Sequence, residues 1–192
     1  MGSPLSRWFA ALVTCLLLVP TFAVAQIDTL ETTPQTRDDR RFLFRVAAGP
    51  SYGSAFDSNQ GPGVDASVAI GGFFSHSFAL HASLLASTQF RIFHNADESN
   101  RVLTLGGGLG VTYYSDGGVY GSFSYMAGSQ KTSDESWLND TTIIELLSGK
   151  EWGQGGIGYG VALGLFGAIR GGENSDAQFS GGGSIRFSMT VR

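Results

Sequence analysis

Residues 157–169 read IGYGVALGLFGAI, a run without a single charge and with glycine at positions 158, 160, 164 and 167. Three structures fit such a string: a membrane helix with a GxxxG face at Gly160 and Gly164, a phosphate-binding loop, or a strand. A bilayer-spanning helix needs about 20 apolar residues, so the run is too short. A phosphate loop needs a capped helix after it and a Lys-Ser/Thr pair, and neither follows. Read as a strand, the run sorts into two faces. Ile157, Tyr159, Val161, Leu163, Leu165 and Ile169 fall on one face, and Gly158, Gly160, Ala162, Gly164, Phe166, Ala168 and Arg170 on the other. One face is large and apolar; the other is mostly small.

The same period of two recurs outward from this stretch. Phe179, Ile185, Phe187, Met189 and Val191 alternate with Ser180, Ser184, Arg186, Ser188 and Thr190. Val64, Ala66, Val68 and Ile70 oppose Asp65, Ser67, Ala69 and Gly71, and Phe78, Leu80, Ala82 and Leu84 oppose His81, Ser83 and Leu85. Eight such segments are predicted, at 42–52, 63–74, 78–89, 101–114, 118–129, 141–152, 156–170 and 178–191. The sixth, TTIIELLSGKEW, has apolar residues on both parities and also resembles a helix; it is taken as a strand because that keeps the connections regular. Short turns at Ser75-His76-Ser77, Ser115-Asp116-Gly117 and Gly153-Gln154-Gly155 alternate with longer polar connections.

Alternation alone does not say which face points inward. A soluble exterior carries interspersed Lys, Glu and Arg, whereas here the non-apolar face is mainly Gly, Ala, Ser and Thr with isolated charges. That face suits the crowded lumen of an eight-stranded barrel, and the apolar face suits lipid. Charged residues are 15% of the chain, against roughly 25% in soluble domains. Segments of this length match the 9–11 or so residues that cross hydrocarbon at a tilt. Aromatics gather near segment ends, among them Phe42, Phe74, Phe78, Tyr113, Tyr114, Tyr120, Trp152 and Tyr159 by the short turns and Tyr52, Phe90, Phe166 and Phe179 toward the long connections; those that face lipid are expected to form girdles.

The first residues, MGSPLSRWFAALVTCLLLVPTFAVAQ, place one Arg before a short apolar run and end in a small-x-small sequence. This is the layout of an export signal cleaved after Ala25. Cys15 lies inside it, so the exported chain is expected to hold no cysteine, hence neither disulfide nor thiolate metal site. The expected organisation is a signal at 1–25, a polar lead-in at 26–41 and an all-β, eight-stranded antiparallel up-and-down barrel at 42–192. A net charge of −4 with only two lysines argues against a nucleic-acid partner.

Taken together, the signal, the eight alternating segments and the alternating short and long connections make the chain resemble the small bacterial outer-membrane barrels, the class of the outer membrane protein A transmembrane domain. The resemblance implies an outer-membrane location, short periplasmic turns and extracellular loops. It also implies contact with outer-membrane lipid, including lipopolysaccharide, and surface contacts through loops 53–62, 90–100, 130–140 and 171–178. One departure is that such barrels end in an aromatic residue, whereas residues 187–192 read FSMTVR.

The charges on the lumen parity are Arg45, Asp65, Glu145, Glu151, Arg170 and Arg186. Buried charges are costly unless paired, so they are expected to form salt-bridged clusters that fill the interior. Arg45, Glu151 and Arg186 are expected in the periplasmic half, and Glu145 with Arg170 toward the outside. His81 and Ser83 share a strand face at the spacing of a base and a nucleophile, and outer-membrane lipid A deacylases use a His-x-Ser pair of this kind. Parity points both side chains into the lumen, away from acyl chains, so the expectation is a packing pair and no enzyme. His94, Asp97 and Glu98 in one polar connection are the nearest thing to a metal set, and no cofactor is expected. The reading is a non-enzymatic barrel with a structural or surface-interaction role, with a lipid A-modifying enzyme and a narrow pore as alternatives.

Overall fold

The computed structural model describes residues 42–54, 60–90, 101–132, 138–153, 156–170 and 178–192. They form eight strands: β1 Leu43–Ser54, β2 Gln60–Phe73, β3 Phe78–Phe90, β4 Arg101–Tyr114, β5 Val119–Thr132, β6 Leu138–Trp152, β7 Ile157–Arg170 and β8 Gln178–Val191. Each strand pairs antiparallel with the next, and β8 returns to β1, so the sheet closes. The signal and lead-in at 1–41, and His94, Asp97 and Glu98, lie outside the described residues.

Closure carries a definite stagger. One line of paired residues runs Phe44, Ile70, Ala82, Leu109, Tyr125, Ile144, Gly167, Gly181 and returns to β1 at Ser54, ten residues beyond its start. Eight strands with that shear tilt by about 41° and give a backbone radius of about 8 Å. Such a lumen has room for side chains and little else. Every position on this line is on the outer face.

The faces divide as the period of two requires. Leu109, Leu163 and Phe187 are more than 60% exposed on the outside, while Asp65, Tyr114 and Arg186 are fully buried inside. An exterior of this kind loses free energy in water and gains it in hydrocarbon. Aromatic side chains mark both ends of the apolar band. At the turn end Phe74 stacks on Phe78, which meets Tyr113 in a tilted contact, and Phe90 and Phe179 are exposed at the other. Tyr114, Tyr120 and Phe166, by contrast, point inward.

The ambiguous sixth segment is a strand. Ile143, Glu145 and Leu147 face the lumen while Ile144 and Leu146 face out, so the doubled apolar residues serve two environments. Strands β1, β2, β5 and β6 run two or three residues further toward the long connections than the sequence pattern indicated, with a register shift between Gly128 and Gln130. Their polar tips carry no apolar alternation, yet backbone pairing continues there. At the short turns, Gly118 takes a φ of 79°, which only glycine adopts at no cost. Gly110 has another reason: a Cβ there would run into the His81 ring and the Ser124 hydroxyl.

Leu109 lies near mid-height on the outer face and is 65% exposed. Leu109→Arg is expected to lower unfolding free energy in lipid vesicles by about 2–4 kcal/mol, measured by urea titration. A cost near zero would mean that this face meets water.

Candidate functional site

The lumen is where chemistry-bearing side chains converge, and it is organised in levels. Nearest the turn end, Leu43, Ala79, Tyr114, Tyr120, Leu147 and Ala162 pack into an apolar cluster with Phe73 against it. Toward the long connections, Leu85, Met126, Ile143 and Ala168 form a second. Polar and charged groups lie between and around these clusters. The alternation of each strand brings them inward, and closure brings distant strands together.

Arg186 on β8 organises the mid-barrel group. It donates to Glu145 Oε1 at 2.5 Å, to Asp65 Oδ2 at 3.2 Å, to Ser67 Oγ at 3.0 Å and to Ser184 Oγ at 2.9 Å. Ser87 donates to the other oxygen of Asp65 at 2.6 Å. Its four partners and Ser87 are all at most 8% exposed, and Arg186 itself is at 0%. One cation thus ties β2, β6 and β8 across the lumen. The sequence-based division placed Arg186 and Glu145 in opposite halves of the barrel. The long guanidinium arm spans that gap, so the two form one cluster. The side chain of Arg170 lies outside the described residues.

A second group surrounds His81 on β3. Its Nδ1 is 2.9 Å from Ser83 Oγ and its Nε2 is 2.9 Å from Thr112 Oγ1, while Ser83 continues to Ser124 at 3.0 Å. Thr112 donates to Ser122 at 2.9 Å. That direction leaves the Thr112 oxygen to accept from Nε2–H, so Nδ1 accepts from Ser83. Base and nucleophile therefore touch. Yet the far nitrogen meets a hydroxyl where an orienting carboxylate would be needed, and both residues are 2–3% exposed in the lumen.

Arg45 adjoins this group. It donates to Ser122 at 3.0 Å and, at 3.4 Å, to Thr112 and the Tyr114 hydroxyl, and it stacks over Tyr120 at 4.6 Å. A salt bridge was expected for this residue; among the described residues its partners are hydroxyls and a ring. Glu151 has the ionic contact at this end, with Arg192, and accepts from Thr190 at 2.6 Å. Arg192 also stacks on Tyr114. Thr112, Ser122 and Ser124 were not singled out from sequence, although the lumen parity of β4 and β5 contains them; Tyr114 was noted only as a segment-end aromatic and Thr190 only as part of the polar face of β8. The described residues hold no group of three metal-binding side chains.

The fold has a solved counterpart. The chain is similar in structure to Neisserial surface protein A, with a TM-score of 0.52 and 9% identity over 78% of this chain and 96% of that one. At that identity the likeness is one of fold, and it establishes the architecture of the small eight-stranded outer-membrane barrels. No family model matches the sequence, and no curated protein is similar to it. Like Neisserial surface protein A, the chain is a closed barrel.

The Arg186 group yields a direct test. Arg186→Met leaves Asp65 and Glu145 buried without their cation, and a loss of about 3–5 kcal/mol in unfolding free energy is expected. Adding Asp65→Asn and Glu145→Gln removes the stranded charges, so most of that loss should return. A triple variant as unstable as the single one would show that the charges are not what Arg186 balances.

Proposed function

We propose that this protein is a non-enzymatic integral protein of the bacterial outer membrane, a closed barrel that anchors its long loops for envelope integrity or surface contact. The observation that carries this reading is the inversion of faces. Large apolar side chains cover the exterior, and the polar and ionised groups are gathered inside. In the fold that the chain shares with Neisserial surface protein A, this inversion fits a lipid surround. Strands closed into a barrel satisfy every ladder amide without water, which hydrocarbon demands.

The filled lumen supports an anchoring role over transport. A solute moving along the axis would have to displace the Arg186 cluster and both apolar clusters. Breaking a buried ion pair costs several kcal/mol, so passage at a useful rate is not expected. The contact of His81 with Ser83 favours the enzyme reading in geometry alone, and the lumen location of both opposes it.

Three measurements separate these readings. Unheated protein from the outer-membrane fraction is expected to migrate differently from heated protein in detergent gels; no shift together with a soluble periplasmic location would overturn the assignment. Planar bilayers holding the protein should stay electrically silent, and stable unitary steps would favour a pore. Incubation with lipopolysaccharide should release no acyl chains; release that Ser83→Ala abolishes would establish the enzyme.

A further inference from the structure

Arg45, Asp65, Glu145, Glu151 and Arg186 turn inward, but Arg101, Lys131 and Lys150 lie on the outer parity of β4, β5 and β6. Arg101 and Lys131 belong to the end of the long connections. Lys150 is at the other end, two residues before the last residue of β6. Among the described strands it is the one outer-face cation at the turn end, and it forms no ion pair with a described residue. A lysine rooted in an apolar exterior carries its charge to the nearest polar boundary.

The surroundings of Lys150 define that boundary. It opposes Val119 on one side and Val161 on the other. Two residues along β6 is Trp152, whose register partner is Tyr159; these rings are 52% and 61% exposed. At the tilt of the barrel two residues span about 5 Å of the axis, so Lys150 is rooted just inside the aromatic girdle. Its side chain bends back toward that girdle, with Nζ 5.8 Å from the centre of the Trp152 ring. An ammonium, an indole N–H and a phenol hydroxyl, each able to donate, thus share one corner of the outer face. Rings of this kind sit at headgroup depth in a bilayer. On the mid-barrel side of Lys150 the exterior is low: Gly121 and Ser148 are partners, flanked on the same pairing line by Tyr113 and Leu163. A Cβ at Gly121 would meet nothing within 4 Å.

We infer that this corner holds the phosphodiester of an anionic phospholipid in the leaflet at the turn end, bound by Lys150 with Trp152 and Tyr159 donating beside it. The glycerol backbone of that lipid lies over Gly121 and Ser148. Charge selects the occupant, because a headgroup with net negative charge leaves its phosphate to Lys150, whereas a choline headgroup brings a cation of its own. The surface is open, so the lipid displaces no side chain. Lys131, the nearest strand in sequence to offer a second outer-face lysine, is about 25 Å further along the axis and serves the opposite leaflet. This inference rests on the lipid surround proposed above.

The probe is a phosphatidylcholine vesicle holding a minor fraction of either phosphatidylglycerol or phosphatidylcholine, brominated on identical acyl chains. The reporter is Trp152 fluorescence in a chain carrying Trp8→Phe and Trp137→Phe, which leaves Trp152 as the single tryptophan. Both brominated lipids should quench it, and association should favour phosphatidylglycerol about fivefold, the factor one cation contributes near an anionic surface. Lys150→Gln should remove the preference and Lys150→Arg should keep it. Lys131→Gln, at the opposite end, should leave it unchanged. Equal association of the two lipids, a preference that survives Lys150→Gln, or one that disappears in Lys131→Gln would overturn the inference. Quenching by neither lipid would overturn the lipid-facing reading of the exterior itself, and this inference with it.

Discussion

Everything in this molecule depends on β8 returning to pair with β1. Hydrocarbon offers no partner to a backbone amide, so a sheet in lipid cannot keep a free edge. With eight strands and a shear of ten, closure fixes the radius, and the radius fixes the contents. The lumen has to be filled by side chains from all eight strands at once. Glycine, alanine and serine on the inner face follow from that crowding, as do long arms such as Arg186 that reach across to strands far away in sequence.

The interior then inverts the usual arrangement of a soluble protein. In the lipid surround proposed for it, apolar groups on the outside gain free energy by facing hydrocarbon; inside, charges and hydroxyls are removed from solvent and must satisfy one another. The result is a polar interior interrupted by two apolar clusters, in which His81, Ser83, Thr112, Ser122 and Ser124 exchange hydrogen bonds over three strands. An arrangement that looks like a nucleophile and its base is explained by this need. His81 has two ring nitrogens to satisfy in a closed space, and the nearest groups are hydroxyls.

Much of the fold was legible because a strand with an exposed apolar face on one side and a packed lumen on the other writes its period into the chain. IGYGVALGLFGAI shows it plainly, since Leu163 and Gly164 are adjacent in sequence and opposite in environment. Legibility fell where that contrast weakened. On β6, Ile143 and Leu147 are apolar but face inward to the two clusters, which blurred the pattern. At the loop ends pairing continues on polar residues beyond the apolar band, where the period of two is not written in hydrophobicity. Tyr114, Tyr120 and Phe166 sit on the inner parity, where their position along the strand suggested a girdle but their face decides otherwise. The charged residues of the lumen were identifiable by parity, but their partners were not. Which carboxylate Arg186 finds depends on side-chain reach across the barrel, and Arg45 finds hydroxyls, a matter that strand period does not encode.

The central claim is that adjacent residues of one strand face lipid and a closed interior in turn. A spin label introduced singly at each position from 159 to 166, with the protein reconstituted in lipid vesicles, reads this directly. Positions 159, 161, 163 and 165 should collide readily with dissolved oxygen and poorly with a water-soluble nickel chelate. Positions 160, 162, 164 and 166 should be shielded from both, or fail to accommodate the label. Strong collision of the first set with the nickel chelate, or no alternation along the strand, would contradict the account.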